Sequence, residues 1–371
     1  MIRKGFNLIA LGADLAVVSL LRCTNIQWNR KYHEPGTFSL QIPLHQYNPE
    51  IKFIFTKDRP EMGLVSQINY IKESGYESVY LSGFFLENEV NTRIAYPSTN
   101  VTNIINNPSW VYQEGNAEDV AFAFFNGFKD VLYTDIHTPT DPAIKCLFDI
   151  EPGTNLHRGN TTRHERNGEE LGSKIYQILE PSGMSYRVNY DFLTNNMMFN
   201  VWAGVDRTSE QTINNPIIFS TKYGNIKSPN VIIEDTSYKN AVITRAKYNN
   251  DNEISYVKAF IPYGVSDKKI RFLFNETALN RAEYDEDTFD DAIQNEAFLV
   301  LNRHVKVIKL EFQALPGSYV YRKDFDLGDK VSIEIPAMNI SASARLIGCN
   351  EVIKQGQWTM TMEFGTPLIK K

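Results

Sequence analysis

The segment from Trp28 to Pro43, which reads WNRKYHEPGTFSLQIP, constrains the fold of this chain more than any other. Pro35-Gly36 predicts a tight turn, because proline sets φ at the first central position and glycine accepts the positive φ of the second. After the turn, TFSLQIP alternates apolar and polar residues, which predicts a strand with one apolar face and one polar, solvent-exposed face. Before the turn, one strand face carries Ile26, Trp28, Arg30 and Tyr32. The segment therefore predicts a half-buried β-hairpin with arginine among aromatic rings.

Short strands joined by turns fill the first 98 residues. Their alternation and β-rich composition predict strands at Phe6–Leu11, Leu15–Leu21, Ile51–Phe55, Leu64–Ile71 and Ser78–Leu81. Gly83 is expected to open a short helix over Phe84–Val90, and Tyr96-Pro97 ends the unit. Several short strands with tight turns are typical of a small barrel or sandwich, so residues 1–98 are predicted to form an N-terminal β-barrel domain.

The pattern changes to mixed helix and strand over residues 99–215. Apolar residues at helical spacing predict two amphipathic helices, and alternation predicts a hairpin that packs on the second of them. These elements are expected at Ala117–Lys129, Asn167–Glu180, Ser185–Tyr190 and Met197–Trp202. The polar stretch Gly153–Arg166 is interpreted as an exposed loop. Residues 99–215 are therefore predicted to form an α/β insertion domain.

Strand patterns return in residues 216–371. They predict strands at Ile217–Ser220, Val231–Ile233, Ala241–Tyr248, Ile254–Ile261 and Val305–Gln313, and a helix over Phe289–Arg303. The chain ends with DFDLGDKVSIEIP, ARLIGCNEVI and WTMTMEFG, which predict a closing three-stranded sheet with Gly328 at its entry and Gly356 in its final turn. We expect a C-terminal β-rich domain with a second barrel. The predicted fold class is thus α+β, mainly β, with two small β-barrel domains and an α/β insertion.

Charge and composition narrow the classes of function. The formal net charge is −6 and no basic stripe is present, which argues against sequence-specific nucleic-acid binding, because phosphate contacts need clustered Lys and Arg. No stretch of about 18 uninterrupted apolar residues is present, so we expect no membrane span and a soluble, unprocessed chain. Cys23, Cys146 and Cys349 are too few and too widely spaced for a disulfide framework or a zinc site, and are expected to be buried free thiols.

Residues of the kinds used in catalysis or metal binding form no recognisable motif. His157 and His164-Glu165 lie in a polar stretch without a third ligand at a defined spacing. The acidic run Glu283–Asp291 lacks the alternating Asp and central Gly of a calcium loop and is interpreted as a helix cap. Two carboxylate pairs of the kind that glycosidases use are present, and nothing favours either: Glu169-Glu170 and Asp149 with Glu151. We therefore predict no cofactor, no metal and no enzymatic activity.

Several blocks of the sequence, taken in order, carry a family resemblance. They are WNRKYHEPGTFSLQIP, GLVSQINYIKESGYESVYLSGFFLENEVNTRIAYP, ELGSKIYQILEPSGMSYRVNYD, VWAGVDRT, SPNVIIEDTSYKNAV, FDLGDKV and MEFG. In this order and spacing they resemble the tail-hub, or baseplate-hub, and tail-associated proteins of siphophages and of contractile prophage tails. The resemblance covers most of the chain. It is weakest at Glu87–Asn91, which is more polar than the family's leucine-rich helix, and at Val101–His157, which matches little.

The resemblance implies a structural part of the virion tail, assembled in the bacterial host cytoplasm. A hub of this kind is a homotrimer with two barrel domains per subunit, so that three subunits present a ring of six barrels to the hexameric tail tube. Its implied partners are the distal tail or tail-tube rings, and tip, fibre or spike proteins. The hairpin and the closing sheet supply the structural or interface candidates Trp28, Arg30, Tyr32, Gly36, Phe38 and Gly328.

Two other functions are consistent with the same sequence. The first alternative is a tail-tip enzyme or adhesin that acts on host cell-wall carbohydrate. The second is an isolated carbohydrate-binding β-protein, which would need exposed aromatic side chains in a groove. Its candidates are Tyr319, Tyr321 and Trp358, and a barrel core or a subunit interface accounts for these three equally well. Within the hub, Arg30 and Tyr32 have two competing roles, either in a barrel wall or at a seam between subunits.

Overall fold

The computed structural model describes residues 7–57, 59–73, 75–96, 112–130, 149–166, 168–247, 255–260, 269–280, 286–315, 318–354, 356–365 and 368–369. Contacts within the chain divide it into two compact units: unit 1 comprises Met1–Pro229 with Glu311–Lys371, and unit 2 comprises Asn230–Leu310. The predicted boundaries after residues 98 and 215 stay a prediction. Cys146 and much of the segment 99–148 lie outside the described residues.

Strands make up most of the regular structure along the whole chain, which confirms the mainly β prediction. In chain order they are β1 (Leu8–Leu11), β2 (Val17–Leu21), β3 (Asn25–Lys31), β4 (Thr37–Pro43), β5 (Phe53–Thr56), β6 (Gly63–Glu73), β7 (Tyr76–Phe85), β8 (Ile94–Ala95), β9 (Tyr112–Asn116), β10 (Ile150–Pro152), β11 (Thr161–Glu165), β12 (Glu169–Glu170), β13 (Met184–Asp191), β14 (Asn196–Ala203), β15 (Asp206–Arg207), β16 (Ile218–Ser220), β17 (Ile226–Glu234), β18 (Ala241–Lys247), β19 (Ser255–Phe260), β20 (Phe272–Asn280), β21 (Val307–Ala314), β22 (Lys330–Ile335), β23 (Ile340–Lys354), β24 (Gln357–Phe364) and β25 (Leu368–Ile369).

The α-helices in the described residues are α1 (Glu87–Val90), α2 (Ala117–Phe128), α3 (Leu171–Leu179) and α4 (Glu286–Asn302). The predicted helices at α2, α3 and α4 are confirmed, with ends shifted by a few residues. The helix predicted over Phe84–Val90 begins only at Glu87, because Phe84 and Phe85 continue strand β7 opposite Thr37 and Gly63. No described helix is both long enough and apolar enough to cross a membrane.

Strands β11 and β20 are among those that lie where the sequence pattern predicts none. The expected loop Gly153–Arg166 contains β11, a polar strand that pairs antiparallel with β9. Strand β20 pairs in parallel with β18, about 30 residues earlier in the chain. Both strands are stabilised by pairing with another segment of the chain. Their own residue pattern is therefore a weak predictor of strand structure.

One large sheet joins the two ends of the chain. Its strand order is β17-β21-β24-β23-β3-β4-β7-β6-β5-β1-β2. Strand β3 lies between its hairpin partner β4 and the C-terminal strand β23, with Cys349 opposite Arg30 and Glu351 opposite Trp28. Within the described residues, no strand pairing returns from β2 to close this path. The two-barrel arrangement therefore stays a prediction.

The first seven strands surround one apolar core, to which each of them contributes. Its buried members are Leu8, Ala10, Leu21, Ile26, Trp28, Phe38, Leu40, Ile42, Ile51, Ile54, Val65, Val79, Leu81 and Phe85. Along β4 the buried residues alternate with partly exposed Ser39 and Gln41. The alternating, half-buried hairpin predicted from WNRKYHEPGTFSLQIP is thus confirmed.

Strands β1 and β5 are buried on both of their faces. Leu8 and Ala10 belong to the first core, whereas Ile9 and Leu11 belong to a second core. The second core is formed with helices α2 and α3 and with the three-stranded sheet β10-β14-β13. Two buried faces explain why these strands read as continuous apolar runs, LIAL and FIF, rather than as alternating ones.

A cluster of aromatic rings forms the core under the C-terminal strands of unit 1. Phe219 of β16 lies with its ring centroid 5.2 Å from Phe312 and 5.4 Å from Phe325. Phe312 in turn stacks on Phe364 of β24 at 4.9 Å. These rings come from four separate segments, so their packing fixes how those segments meet.

Unit 2 has a small sheet and a helix of its own. Strand β18 is its central strand, antiparallel to β19 and parallel to β20. Helix α4 covers this sheet, where Val242 packs with Ala297 and Leu301 in one small core. Phe289 and Ile293, one turn apart near the start of the helix, form a second small core with the same sheet.

Candidate functional site

The predicted candidate residues separate into an apolar group and a polar group. Trp28 and Phe38 are almost completely buried in the first core. Their ring centroids lie 4.7 Å and 6.2 Å, respectively, from that of Phe85 on β7. Both residues therefore act through packing inside unit 1.

Gly36 is required for a different reason from the predicted one. Its φ is not in the left-handed region, and the connection between β3 and β4 runs over residues 32–36, so the predicted positive-φ turn at Pro35-Gly36 is wrong. Instead, β7 approaches closely: a Cβ on Gly36 would lie 2.5 Å from the Asn29 carbonyl oxygen and 2.6 Å from a ring carbon of Phe85. The missing side chain, rather than the turn geometry, makes glycine necessary.

Arg30 lies at the centre of a group of buried ion pairs. Its Nε contacts the Glu61 carboxylate. Its Nη1 donates to Asp326 Oδ1 at 2.8 Å and to Tyr321 Oη at 2.6 Å. Because β3 alternates, Arg30 lies on the same strand face as buried Trp28, and a buried guanidinium group needs such partners to offset its lost hydration.

Glu61 is shared between two arginines. Besides Arg30, it contacts Arg322, whose Nη2 lies 3.1 Å from Glu61 Oε2. Burial alone would raise the pKa of Glu61, but the positive charges of Arg30 and Arg322 outweigh burial and hold the pKa at about 2. Glu61 is therefore ionised at neutral pH, and only acid removes its charge.

A second buried ion pair joins the same parts of the chain. Arg59 Nη2 lies 2.9 Å from Glu351 Oε2, which also accepts a hydrogen bond from Trp358 Nε1 at 3.3 Å. The residues of both groups are called the charge cluster below: Arg30, Arg59, Glu61, Tyr321, Arg322, Asp326 and Glu351. They come from β3, from the segment between β5 and β6, from the segment before β22, and from β23. The charge cluster thus ties the first strands of unit 1 to its last ones.

Tyr32 and Gly328 meet next to the charge cluster. Tyr32 Oη donates to the Gly183 carbonyl at 2.9 Å and accepts from the Gly204 N–H at 3.2 Å. Gly328 has a φ of +89°, and a Cβ there would lie 2.4 Å from the Tyr32 ring. Gly328 therefore needs both the backbone freedom and the small size of glycine.

The burial of Arg30 and Tyr32 bears on their two competing roles. Arg30 is 4% exposed and Tyr32 is 0% exposed within the single chain. Contacts inside the chain therefore account for both side chains, which supports a role in the β wall over one at a surface between subunits. An interface role for the six candidate residues stays a prediction.

A small cavity adjoins the charge cluster. Arg30, Glu61, Glu87, Arg187 and Trp202 are among its lining residues. Burial raises the pKa of Glu87 to about 7. Glu87 Oε2 and Arg187 Nε have no hydrogen-bond partner among the described residues, although the Arg187 guanidinium stacks on the Trp202 ring at 4.6 Å. A carboxyl group that titrates near neutral pH thus lies beside permanently charged ones.

His157, Glu169 and Glu170, which were considered for metal binding or catalysis, make local contacts, whereas Asp149 and Glu151 are exposed. His157 Nδ1 lies 2.6 Å from Asp119 Oδ1 on an exposed loop. Glu169 pairs with Lys174 at 2.9 Å, and Glu170 accepts a hydrogen bond from Ser173 at 3.2 Å. In the part of the chain that the structure describes, no three His, Cys, Asp or Glu side chains form a group that could hold a metal ion.

The three aromatic residues suggested for a carbohydrate groove do not form one. Tyr321 is buried in the charge cluster. Tyr319 packs edge-on against Phe219 at 5.7 Å, and Trp358 donates to Glu351. The rings are used in packing and hydrogen bonding within the chain, which supports the alternative that they belong to the core.

The sequence identified Arg30 but missed most of the charge cluster. Alternation in β3 places Arg30 on the apolar face, and a buried arginine implies a carboxylate partner. One of its partners, Asp326, is 296 residues away along the chain. Local pattern does not identify such a partner, and only the pairing of β3 with β23 brings the two segments together.

The sequence profile of one protein family matches residues 17–366 and so covers almost the whole chain. The chain belongs to the Siphovirus ReqiPepy6 Gp37-like protein family. This membership confirms the resemblance to phage tail proteins and assigns the Gp37-like chain to the virion tail. No curated protein sequence matches the chain.

Three solved structures share the fold of this Gp37-like chain over nearly their whole length. The 43 kDa tail protein of prophage MuSo2 from Shewanella oneidensis is 9% identical, with a TM-score of 0.58 and coverage of 97% of this chain and 98% of that chain. The tail protein from Neisseria meningitidis MC58 is 12% identical, with a TM-score of 0.57 and coverage of 98% and 97%. The prophage tail protein gp18 from Listeria monocytogenes EGD-e is 11% identical, with a TM-score of 0.52 and coverage of 96% and 94%. At these identities the similarity concerns the fold.

Proposed function

We propose that this chain is a structural hub at the distal end of the phage tail tube, where it adapts the hexameric tube to a trimeric tip. It assembles as a homotrimer, with tail or tail-tube rings on one side and tip, fibre or spike proteins on the other. The observation that carries the proposal is the joining of β3 to β23 across the charge cluster, in a chain of the Gp37-like family. This joint links the N-terminal and C-terminal β structure into one continuous sheet.

The arrangement of the strands supports two barrels in each subunit. Strands β1–β7 contribute to one core, and only residues 22–24 separate β2 from β3, so the two ends of that strand path are adjacent in sequence. The aromatic core around Phe219 belongs to the C-terminal strands. With a barrel around each core, three subunits would present six barrels, which matches the symmetry of a hexameric tube.

A structural role also fits the use of the carboxylates. Glu61 and Glu351 lie in buried ion pairs. Glu169, which belongs to one of the two carboxylate pairs considered for glycoside cleavage, is paired with Lys174. These three carboxylates are therefore used to stabilise the chain. We therefore propose that the hub has no enzymatic activity and binds no nucleic acid sequence-specifically.

The mass of the purified chain and its position in the virion test this proposal. We expect a trimer by light scattering, with subunit interfaces well above about 2,000 Å². A label on the chain should appear at the distal end of the tail in electron micrographs. A monomer at high concentration, with the label elsewhere in the particle, would contradict the hub. Turnover of peptidoglycan by the purified chain, abolished by one carboxylate substitution, would favour the enzyme instead.

A further inference from the structure

The small cavity beside the charge cluster has the size of one water molecule. Its volume is about 10 Å³, and a buried water needs about 10–15 Å³ of such space. Phe85 of the first core and Tyr186 of the second core both line it. The cavity therefore lies between the two cores of unit 1.

Three polar atoms of the lining residues are buried and unpaired. They are Glu87 Oε2 on α1, Arg187 Nε on β13 and Trp202 Nε1 on β14, and they have no hydrogen-bond partner in the part of the chain that the structure describes. Glu87 as a whole is only 7% exposed. Buried polar atoms are normally hydrogen-bonded to protein or to ordered water, so three unpaired atoms around one cavity point to a shared partner inside it.

The donors and acceptors among these atoms match the hydrogen bonds of a single water. The N–H groups of Arg187 and Trp202 only donate, whereas a carboxylate oxygen of Glu87 accepts. A water can accept from both N–H groups and donate one proton to Glu87. Its other proton has the ionised carboxylate of Glu61 in the same lining. Buried waters make about three such bonds.

Size and charge disfavour other occupants of the cavity. Pockets for organic ligands begin at about 300 Å³. A metal cation would meet the guanidinium groups of Arg30 and Arg187, and no metal-binding group of three His, Cys, Asp or Glu side chains occurs among the described residues. Chloride is larger than a water molecule and would lie beside the negative charge of Glu61. Water fits both the volume and the lining.

We propose that one water in this cavity joins Glu87 to Arg187 and Trp202, and that it makes the contact between α1 and the β13–β14 hairpin sensitive to protons. Two neutral hydrogen bonds join the same elements: Tyr186 Oη donates to the Glu87 carbonyl at 3.2 Å, and the Val188 N–H donates to Glu87 Oε1 at 3.4 Å. Protonation reverses the bond between Glu87 and the water, because a carboxyl group donates where a carboxylate accepts. The water must then turn, which changes the bonds that reach the hairpin.

The surroundings of Glu87 place this change near neutral pH. Burial and the charge of Glu61 raise the pKa of Glu87, Arg30 lowers it, and the result is about 7. The other titratable groups that face Glu87 or line the cavity are Lys31, Tyr176, Tyr186 and Arg187. The pKa values of this lysine and of both tyrosines are raised from values that are high to begin with, and arginine stays charged. Glu87 is therefore the member of this group that changes its charge near pH 7.

Fluorine NMR of Trp202 in the purified full chain tests the proposal. The chain is labelled with 5-fluorotryptophan, and the Trp202 resonance is identified by its absence from Trp202→Phe. We expect this resonance to shift with a midpoint near pH 7, and the shift to be lost in Glu87→Gln. A Trp202 resonance that does not titrate near neutral pH, or that still titrates in Glu87→Gln, would overturn the proposal.

Two neighbouring residues provide matched controls. Glu89 is buried on the same helix but is not among the residues that line the cavity, so Glu89→Gln should leave the midpoint unchanged. The His33 ring lies 4.5 Å from that of Tyr32, which in turn lies 5.3 Å from Trp202, so a histidine is close enough to affect the same reporter. His33→Gln should also leave the midpoint unchanged. Loss of the titration in His33→Gln would assign it to the histidine and overturn the proposal.

Arg187→Met and a crystal structure test the water itself. Removing the positive charge should raise the Glu87 midpoint by about one pH unit, because a nearby cation favours the ionised carboxylate. An unchanged midpoint would contradict the link to Arg187. A crystal structure of the natural chain should show one ordered water within hydrogen-bond distance of Glu87, Arg187 and Trp202, and a dry cavity would overturn the proposal. The inference goes beyond the hub, because all of these groups belong to one chain, and each result can be obtained whether that chain is a trimer or a monomer.

Discussion

The guanidinium group of Arg30 connects Glu61, which precedes β6, with Asp326, which precedes β22 and lies 296 positions from Arg30 itself. Replacing it would leave half-buried Asp326 without this partner and buried Glu61 with Arg322 alone. We expect Arg30→Met to lower the free energy of unfolding by about 3–5 kcal/mol, the usual cost of breaking a buried pair on one side. Urea unfolding measures the change.

An exposed ion pair on the same sheet provides the control for Arg30. Lys72 Nζ lies 2.8 Å from Glu77 Oε1 on the β6–β7 hairpin, in full contact with solvent. Lys72→Met should leave the unfolding free energy unchanged, because solvent screens such pairs. Similar effects of Arg30→Met and Lys72→Met would contradict the central position assigned to Arg30.

Glu61 makes the stability of the chain depend on acid pH. Its folded pKa of about 2 is below its ordinary value of 4.5, so its contribution is fully present above about pH 4.5 and is lost as the pH falls towards 2. The difference corresponds to about 3 kcal/mol. In Glu61→Gln this part of the acid dependence should disappear. Urea unfolding at several pH values in this range measures it, and parallel profiles of the two proteins would refute the assignment.

Glu87 makes the stability of the chain depend on pH in the direction opposite to that of Glu61. Burial raises its folded pKa from 4.5 to about 7, so its contribution is present below about pH 4.5 and is lost as the pH rises through 7. We expect Glu87→Gln to be more stable than the natural chain at pH 8 by up to about 3 kcal/mol, and to differ least near pH 4. Thermal unfolding at the two pH values tests this, and a constant difference between the proteins would exclude Glu87 as the titrating group.

Among the elements, the β3–β4 hairpin depends on the close passage of β7. Gly36→Val should place a branched side chain against the Asn29 carbonyl and the Phe85 ring, and destabilise unit 1 by about 1–3 kcal/mol or more. The control is Gly127→Ala on α2, where an added Cβ meets nothing within 4 Å and should stabilise the helix slightly. Normal tail assembly and infectivity of a phage that carries Gly36→Val would rule out this steric argument.

Strand β3 also depends on a neighbour from the far end of the chain. It lies between β4 and β23, so a fragment of residues 1–96 would expose the β3 edge and leave Arg30 without Asp326. We expect this fragment to lack cooperative unfolding by circular dichroism and to recover it when residues 311–371 are co-expressed. Cooperative unfolding of residues 1–96 alone would instead support an independent N-terminal domain.

At the scale of the whole molecule, the two units have separate cores. Unit 2 comprises Asn230–Leu310 and has its own sheet covered by α4. Replacing residues 235–306 by a short Gly-Ser linker should leave unit 1 with a single cooperative thermal transition. The control removes the much shorter α3, Leu171–Leu179, whose buried residues belong to the second core of unit 1, and should abolish that transition. Loss of cooperativity in the first deletion would show that unit 1 needs unit 2.

Helices and hairpins were predicted well wherever the signal was local. The spacing of Val120, Phe124 and Phe128 indicated α2, and all three side chains are buried in the second core. By contrast, the spatial role of Tyr321 was not predicted: it is buried and accepts a hydrogen bond from Arg30. The two residues lie 291 positions apart, so no single segment shows this contact.

The order of residues in WNRKYHEPGTFSLQIP was enough to establish the hairpin and its apolar face, because alternation is a property of neighbouring residues. It was also enough, with the later blocks, to indicate the phage tail family. The partners of Arg30 and the steric need for glycine at position 36 were visible only in the folded chain. The first depends on β3 meeting β23, and the second depends on Phe85 of β7 lying against the β3–β4 connection. Such long-range contacts follow from the packing of the whole unit rather than from any local pattern.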